Sequence, residues 1–132
     1  MDVIKINTLL SLDFAGLPPS VNQMYRTSRG SARYKKPEVS EWQEEIAAVM
    51  RKAWGGKKPY ADVVEVRVLF TVANDRRWDV DNRLKALLDC LAYGGVIHDD
   101  SQIWGIVAAR VKGETSTTKI TMAAYSGLSK KS

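Results

Sequence analysis

Asp62-Val-Val-Glu-Val-Arg-Val-Leu-Phe-Thr-Val72 switches to strict alternation from Val64 onward. Val64, Val66, Val68, Phe70 and Val72 share one face of an extended chain, with Glu65, Arg67 and Thr71 mostly on the other. That is the period of a strand with one buried face. Such a strand needs apolar elements to cover it, and the flanking sequence supplies two helical patterns. Upstream, Pro37 opens a helix, as proline does at a first helical position. Glu38, Glu41, Glu44 and Glu45 fall early in it and Arg51 and Lys52 late, in keeping with the helix dipole. Trp42, Ile46, Val49 and Ala53 give it an apolar stripe, and Gly55-Gly56 ends it. Downstream, residues 79–93 carry Val80, Leu84, Leu87, Leu88 and Leu91 at helical spacing and stop at Gly94-Gly95. Residues 5–15 read as a first strand before the breaker Gly16-Leu-Pro-Pro-Ser20, and residues 21–36 as a loop. Residues 103–112 and 117–125 read as a closing hairpin around Gly113-Glu-Thr-Ser116. The order β-α-β-α-β-β predicts an α+β class, a mixed sheet packed against two helices.

Composition bounds the rest. A chain of 132 residues with 45% hydrophobic and 27% charged content reads as one globular domain, 1–132, with residues 126–132 as a frayed, flexible tail. Lys and Arg total 20 against 15 acids, a net charge of +5. Five of the basic residues, Arg26, Arg29, Arg33, Lys35 and Lys36, fall within residues 21–36, where there is no acid. Together with Tyr25 and Tyr34 they form a candidate nucleic-acid-contacting loop, the alternative being a solvated basic loop. The single Cys90 sits in an apolar helical run and reads as a small core residue. No signal-peptide pattern and no run of 18 apolar residues is found, so a reducing, cytoplasmic setting without membrane contact is expected.

Against this basic background, three acids and a lysine gather around the second helix. Asp79-Val-Asp-Asn-Arg-Leu-Lys85 places Asp79 just before the helix and Asp81 in its first turn. Lys85 follows one turn later, and Asp100 lies in the loop beyond the helix, within Asp99-Asp100-Ser101-Gln102. Each has an ordinary structural reading on its own: Asp79 as an N-cap, Asp81 and Lys85 as an i,i+4 ion pair, Asp99 and Asp100 as a solvated turn. Together they suit Mg²⁺, a hard cation that binds through a few carboxylates plus substrate phosphate. Clustered carboxylates also repel one another unless a cation neutralises them. Asp99 is the runner-up ligand. His98 is the only histidine and a candidate base, with a spectator role the stronger reading. Asn82 is a candidate brace for a carboxylate.

The run Arg76-Arg77-Trp78-Asp79-Val80-Asp81-Asn82, followed by Lys85, Leu88-Asp89, Leu91 and Asp99-Asp100-Ser101-Gln102, resembles the RusA family of Holliday-junction resolvases. Pro18-Pro19-Ser20-Val21-Asn22 with Tyr25 is similar to that family's opening, so the resemblance spans residues 18–111. It departs at Trp78, which stands where family members often carry a basic residue. Arg76 and Arg77 precede it as candidate DNA contacts. The resemblance implies a small homodimeric endonuclease that uses one or two Mg²⁺ ions, with Mn²⁺ as a substitute. It implies cutting of four-way DNA junctions by paired symmetric nicks in recombination and repair, leaving 5′-phosphate and 3′-hydroxyl ends. It carries metal ligation onto Asp79, Asp81 and Asp100, and an essential catalytic role onto Lys85. For the dimer, Ile103, Val107 and Val111 read as sharing one alternating face of a strand, with the Trp104 side as the other option. A non-catalytic junction-binding module and a metal-dependent nucleotide phosphohydrolase are the alternatives.

Overall fold

The structure, a computed structural model, describes residues 7–19, 25–27, 33–35, 37–73 and 80–126. Among the described residues six strands and two helices follow one another: β1 (Thr8–Ala15), β2 (Tyr25–Thr27), β3 (Arg33–Lys35), α1 (Pro37–Trp54), β4 (Val64–Val72), α2 (Val80–Tyr93), β5 (Ile103–Lys112) and β6 (Thr117–Ala124). A single 3-10 turn, Asp100–Gln102, stands between α2 and β5. The main sheet has the order β1-β6-β4-β5, and α1 and α2 cover one of its faces, giving the expected mixed α+β architecture.

The alternation read in β4 is the spine of the core. Val64, Val66 and Phe70 are fully buried and Val68 and Val72 nearly so, packed with Ile46, Met50 and Trp54 of α1 and Leu87, Leu88 and Leu91 of α2. Removing a buried aromatic such as Phe70 costs about 3–5 kcal/mol. The leucine stripe of α2 is as the sequence predicts, and Cys90 is buried within it. The stripe of α1 is rotated from the expected one. Val39, Gln43, Ile46, Ala47, Met50 and Trp54 are buried, Trp42 is half-buried, and Val49 and Ala53 face water. The displacement follows from Gln43, a polar residue whose Nε2 donates to the Ala86 carbonyl of α2 at 3.0 Å and so sits inside the helix–helix contact. The two helices also close tightly at Gly94, where a Cβ would lie 2.7 Å from the Ala47 carbonyl oxygen.

Two expectations fail. The residues at 21–36 are not all loop: β2 and β3 pair antiparallel, with Arg26 opposite Tyr34. Three-residue strands are too short to display a period. Nor do β5 and β6 form a hairpin. β5 pairs parallel with β4, while β6 lies between β1 and β4, antiparallel to both. The helix explains the exchange, because a strand–helix–strand crossover delivers its second strand parallel to the first. The chain then passes over the end of β4 to reach β6. There the Gly113 N–H donates to the Val72 carbonyl at 3.1 Å, and a Cβ on residue 113 would stand 2.4 Å from Thr71 Cγ2.

A register shift opens β5. Ile103 lies opposite Val64 and Gly105 opposite Glu65, so Trp104 is the extra residue of a bulge. Ile103 therefore faces the helices with Ile106, while Val107 and Val111, opposite Arg67 and Thr71, face the uncovered side of the sheet. The three residues expected on one face are divided between two. Among the described residues no helix is long and apolar enough to cross a membrane.

Candidate active site

Helix α2 projects Asp81, Lys85 and Asp89 at successive i,i+4 positions along one edge of its buried stripe, the geometry that 3.6 residues per turn imposes. At its far end Gly94 and Gly95 close the helix, and Val96 N–H donates to the Leu91 carbonyl at 2.9 Å. The chain then turns back, so that the 3-10 turn brings Asp100 alongside. Asp81, Leu84, Lys85, Leu88, Asp89, Asp100, Ile103 and Ile106 line one pocket of about 320 Å³. The β-bulge matters here, since it aims both Ile103 and Ile106 at the pocket although they are three residues apart. The result is a half-apolar recess with carboxylates from two elements and one ammonium.

The structure thus brings together Asp81, Lys85 and Asp100 of the expected set. It gives Lys85 a different partner from the one considered in sequence: Nζ lies 3.7 Å from Asp89 Oδ1, with the lysine half exposed and the aspartate mostly covered. Asp89 was not singled out as a site residue. Its position four residues after Lys85 was the available signal.

Asp99 and Asp100 have separate tasks. Asp99 caps the 3-10 turn, its Oδ2 accepting from Ser101 N–H at 3.0 Å. Hydrogen bonds from Ser101 hold its carboxyl below the usual aspartate range. A carboxylate turned back onto its own turn is spent as a cap, which leaves Asp100 as the acid lining the pocket. His98 is exposed and does not line it. Its backbone N–H donates to Gln102 Oε1 at 2.7 Å. Gln102 also completes the capping box with Asp99. The spacing Asp99-x-x-Gln102 carries that signature in the sequence, although it was read there only as part of the acidic motif.

The remaining expected residues are not equally visible. Asp79, Arg76, Arg77, Arg29 and Lys36 lie outside the described residues. Arg26, Arg33 and Lys35 belong to the β2–β3 hairpin, of which the backbone is described. Arg83 Nη1 donates to the Pro18 carbonyl at 2.7 Å, tying the segment that leads toward the basic hairpin to the first turns of α2. Burial pushes its guanidinium below the ordinary arginine value.

Among the described residues no three Asp, Glu, His or Cys side chains form a metal-binding group. Three carboxylates line the common pocket, Asp81 and Asp100 besides the Asp89 that pairs with Lys85, and an all-oxygen donor set with no thiol or imidazole matches what Mg²⁺ takes from a protein when substrate phosphate completes its shell.

Comparison with known proteins places the chain in a family. The family model described as Endodeoxyribonuclease RusA matches residues 16–123. A protein of Enterobacteria phage HK97 named crossover junction endodeoxyribonuclease rusA is 31% identical over 112 residues, covering 79% of this chain and 88% of that protein. Its namesake in Aquifex aeolicus is 27% identical over 97 residues, covering 74% and 76%. The one in Escherichia coli K12 is 32% identical over 89 residues, covering 65% and 70%. The match begins just after β1 and takes in both helices, the acidic pocket and most of β6, and this chain belongs to the RusA family of endodeoxyribonucleases.

Proposed function

We propose that this chain is a divalent-metal-dependent endonuclease that resolves four-way DNA junctions by paired, symmetric nicks. The observation that carries the reading is the convergence of Asp81 and Lys85 from α2 with Asp100 from the 3-10 turn on one pocket. In this reading Asp79, Asp81 and Asp100 hold one or two Mg²⁺ ions, or Mn²⁺ in their place. When bound, such an ion offsets charge on the reacting phosphate and acidifies the attacking water. The protein's own groups do the rest. The carboxylates of Asp81 and Asp100 set where the phosphate docks, one carried on a helix packed into the core and the other on the 3-10 turn. Lys85, held by Asp89, presents its ammonium to the phosphoryl oxygens, where negative charge grows as the water attacks. The bond to the 3′-oxygen breaks, leaving a 3′-hydroxyl and a 5′-phosphate.

Binding in this reading comes from the basic residues Arg26, Arg29, Arg33, Lys35, Lys36, Arg76 and Arg77, and the excess positive charge of the whole chain draws the polyanion in. Two cuts require two sites, so the working unit is a twofold homodimer. The edge strand β5 supports this: Val107 and Val111 on its uncovered face and Trp104 in its bulge are all exposed. A synthetic four-way junction incubated with and without Mg²⁺ tests the function directly. Paired nicks that need the metal are expected, and a junction that is bound but never cut would leave a binding module instead. Sedimentation is expected to give about twice the 14.7 kDa chain mass. A monomer that nicks in pairs would overturn the dimer.

A further inference from the structure

The side chain of Gln102 makes four hydrogen bonds, all to backbone groups. Its Oε1 accepts from the backbone N–H of His98 at 2.7 Å and of Asp99 at 3.1 Å. Its Nε2 donates to the Tyr60 carbonyl at 2.7 Å and to the Asp62 carbonyl at 2.8 Å. A glutamine amide offers two acceptor positions and two donor hydrogens, and here all four are engaged. Turning the amide over would set its NH₂ against two N–H groups and its oxygen against two carbonyls, so only one orientation fits. The clamp joins two segments far apart in sequence, the turn at 98–102 and the lead-in to β4 at 60–62. The same seam carries the Tyr60 N–H to Val96 carbonyl bond at 2.8 Å and the parallel bridge between Tyr60 and Ile97.

Asp100 lies between the two ends of this arrangement. The Asp99 carboxylate accepts from the Ser101 N–H just after it, and the Gln102 amide accepts from the His98 and Asp99 N–H groups just before it. Asp100 is exposed, and its turn hangs between a helix end and a strand start. Its carboxylate must nevertheless meet that of Asp81, which rides on α2, at one point in the pocket. Ligands drawn from different elements work only when each is held to within about half an ångström. We propose that Gln102 is the positioning residue that holds Asp100 in register with Asp81, through a four-point amide clamp onto the lead-in to β4. This rests on the assignment of Asp100 as a metal ligand.

Gln102→Met removes all four hydrogen bonds while keeping the length and most of the volume of the side chain. Mn²⁺ binding to the free protein, followed by electron paramagnetic resonance or titration calorimetry, reads the site without any cleavage. Outer-shell partners of metal ligands are typically worth 10–100-fold in metal affinity, and a loss of about tenfold or more is expected. Junction affinity without metal should stay within about twofold, because the clamp contacts no DNA-binding residue named above. Gln102→Glu keeps the two accepted bonds but turns a carboxylate oxygen toward the Tyr60 and Asp62 carbonyls, so it breaks the other half of the clamp and should also lose Mn²⁺ affinity. A folded Gln102→Met or Gln102→Glu protein that binds Mn²⁺ as tightly as the wild type overturns the proposal, whatever its melting temperature. Asp100→Asn, measured in parallel, separates the two levels. If it too leaves Mn²⁺ binding unchanged, the ligand assignment is wrong. If it weakens binding and the Gln102 variants do not, only the positioning role is wrong.

Discussion

Replacing Lys85 by Met separates fold from chemistry, because the structure sets very different magnitudes on the two. The ion pair of Nζ with Asp89 Oδ1 spans 3.7 Å and leaves the lysine half exposed. Unit charges at that distance in water attract by only about 1 kcal/mol, and exposed pairs measured by double-mutant cycles give about 0–1 kcal/mol. Methionine keeps the apolar stem against Leu84 and Leu88, so packing is little altered. A loss of at most about 1 kcal/mol moves the melting temperature by about 2–6 °C in a chain of this size. The chemical step stands differently. Removing one preorganised group that stabilises developing charge costs about 10²–10³ in kcat, or about 2.7–4 kcal/mol. Under single-turnover conditions on a four-way junction, cleavage should therefore fall more than a hundredfold. Junction affinity should change little, and the melting temperature should stay within about 6 °C of the wild type. A variant that cleaves at the wild-type rate refutes the role of Lys85. One that melts far lower, with activity lost in proportion to folded protein, makes the lysine a structural partner of Asp89 instead.

Asp81→Asn should abolish nicking while leaving junction binding intact or tighter, since it removes ligand charge and also lessens repulsion of the phosphates; gel-shift and nicking assays on one preparation check both. Junction affinity should fall steeply with salt as counterions are released, and replacing Arg29 and Arg33 together should flatten that slope; an unchanged slope would move the DNA footprint elsewhere. Gly113→Ala should cost about 1–3 kcal/mol through overpacking against Thr71, and Thr71→Ser, which deletes the offending Cγ2, should restore most of it. Equal destabilisation by Gly113→Ala in both backgrounds, measured by thermal unfolding, would show that the chain end over β4 is not the source.

What was legible in the sequence is what local periodicity encodes. The alternation of Val64 to Val72 and the leucines of α2 named a buried strand and a buried helix face, and the acidic motif named three of the residues that share the pocket. What was hidden depends on partners distant in sequence. Nothing within 103–125 reveals that β6 inserts beside β4 while β5 goes to the edge, because a hairpin and a crossover give the same local pattern. One unpaired residue, Trp104, was enough to divide Ile103 from Val107 and Val111, and no alternation count detects a bulge. Gln43 and Gln102 were passed over for a common reason: a polar side chain looks like surface until the carbonyls it reaches are known. Their partners lie about forty residues away, at Ala86 and at Tyr60 and Asp62.

The place of β6 has a consequence for how the chain acquires its shape. β1 pairs with β6 alone, Thr8 aligning with Ala123 and Ala15 with Thr117, across more than a hundred intervening residues. β4 is likewise without its antiparallel neighbour until β6 arrives. Of the described strands, the first in sequence is thus the one that waits longest for its mate. Until then, the hydrogen-bonding edge of β4 lies open beside a row of valines, a surface that invites pairing with other nascent chains. Contacts so distant in sequence place the molecule among slower folders, in the range of milliseconds to seconds. Insertion of β6, more than the formation of either helix, sets the moment at which the acidic pocket first stands on a finished sheet.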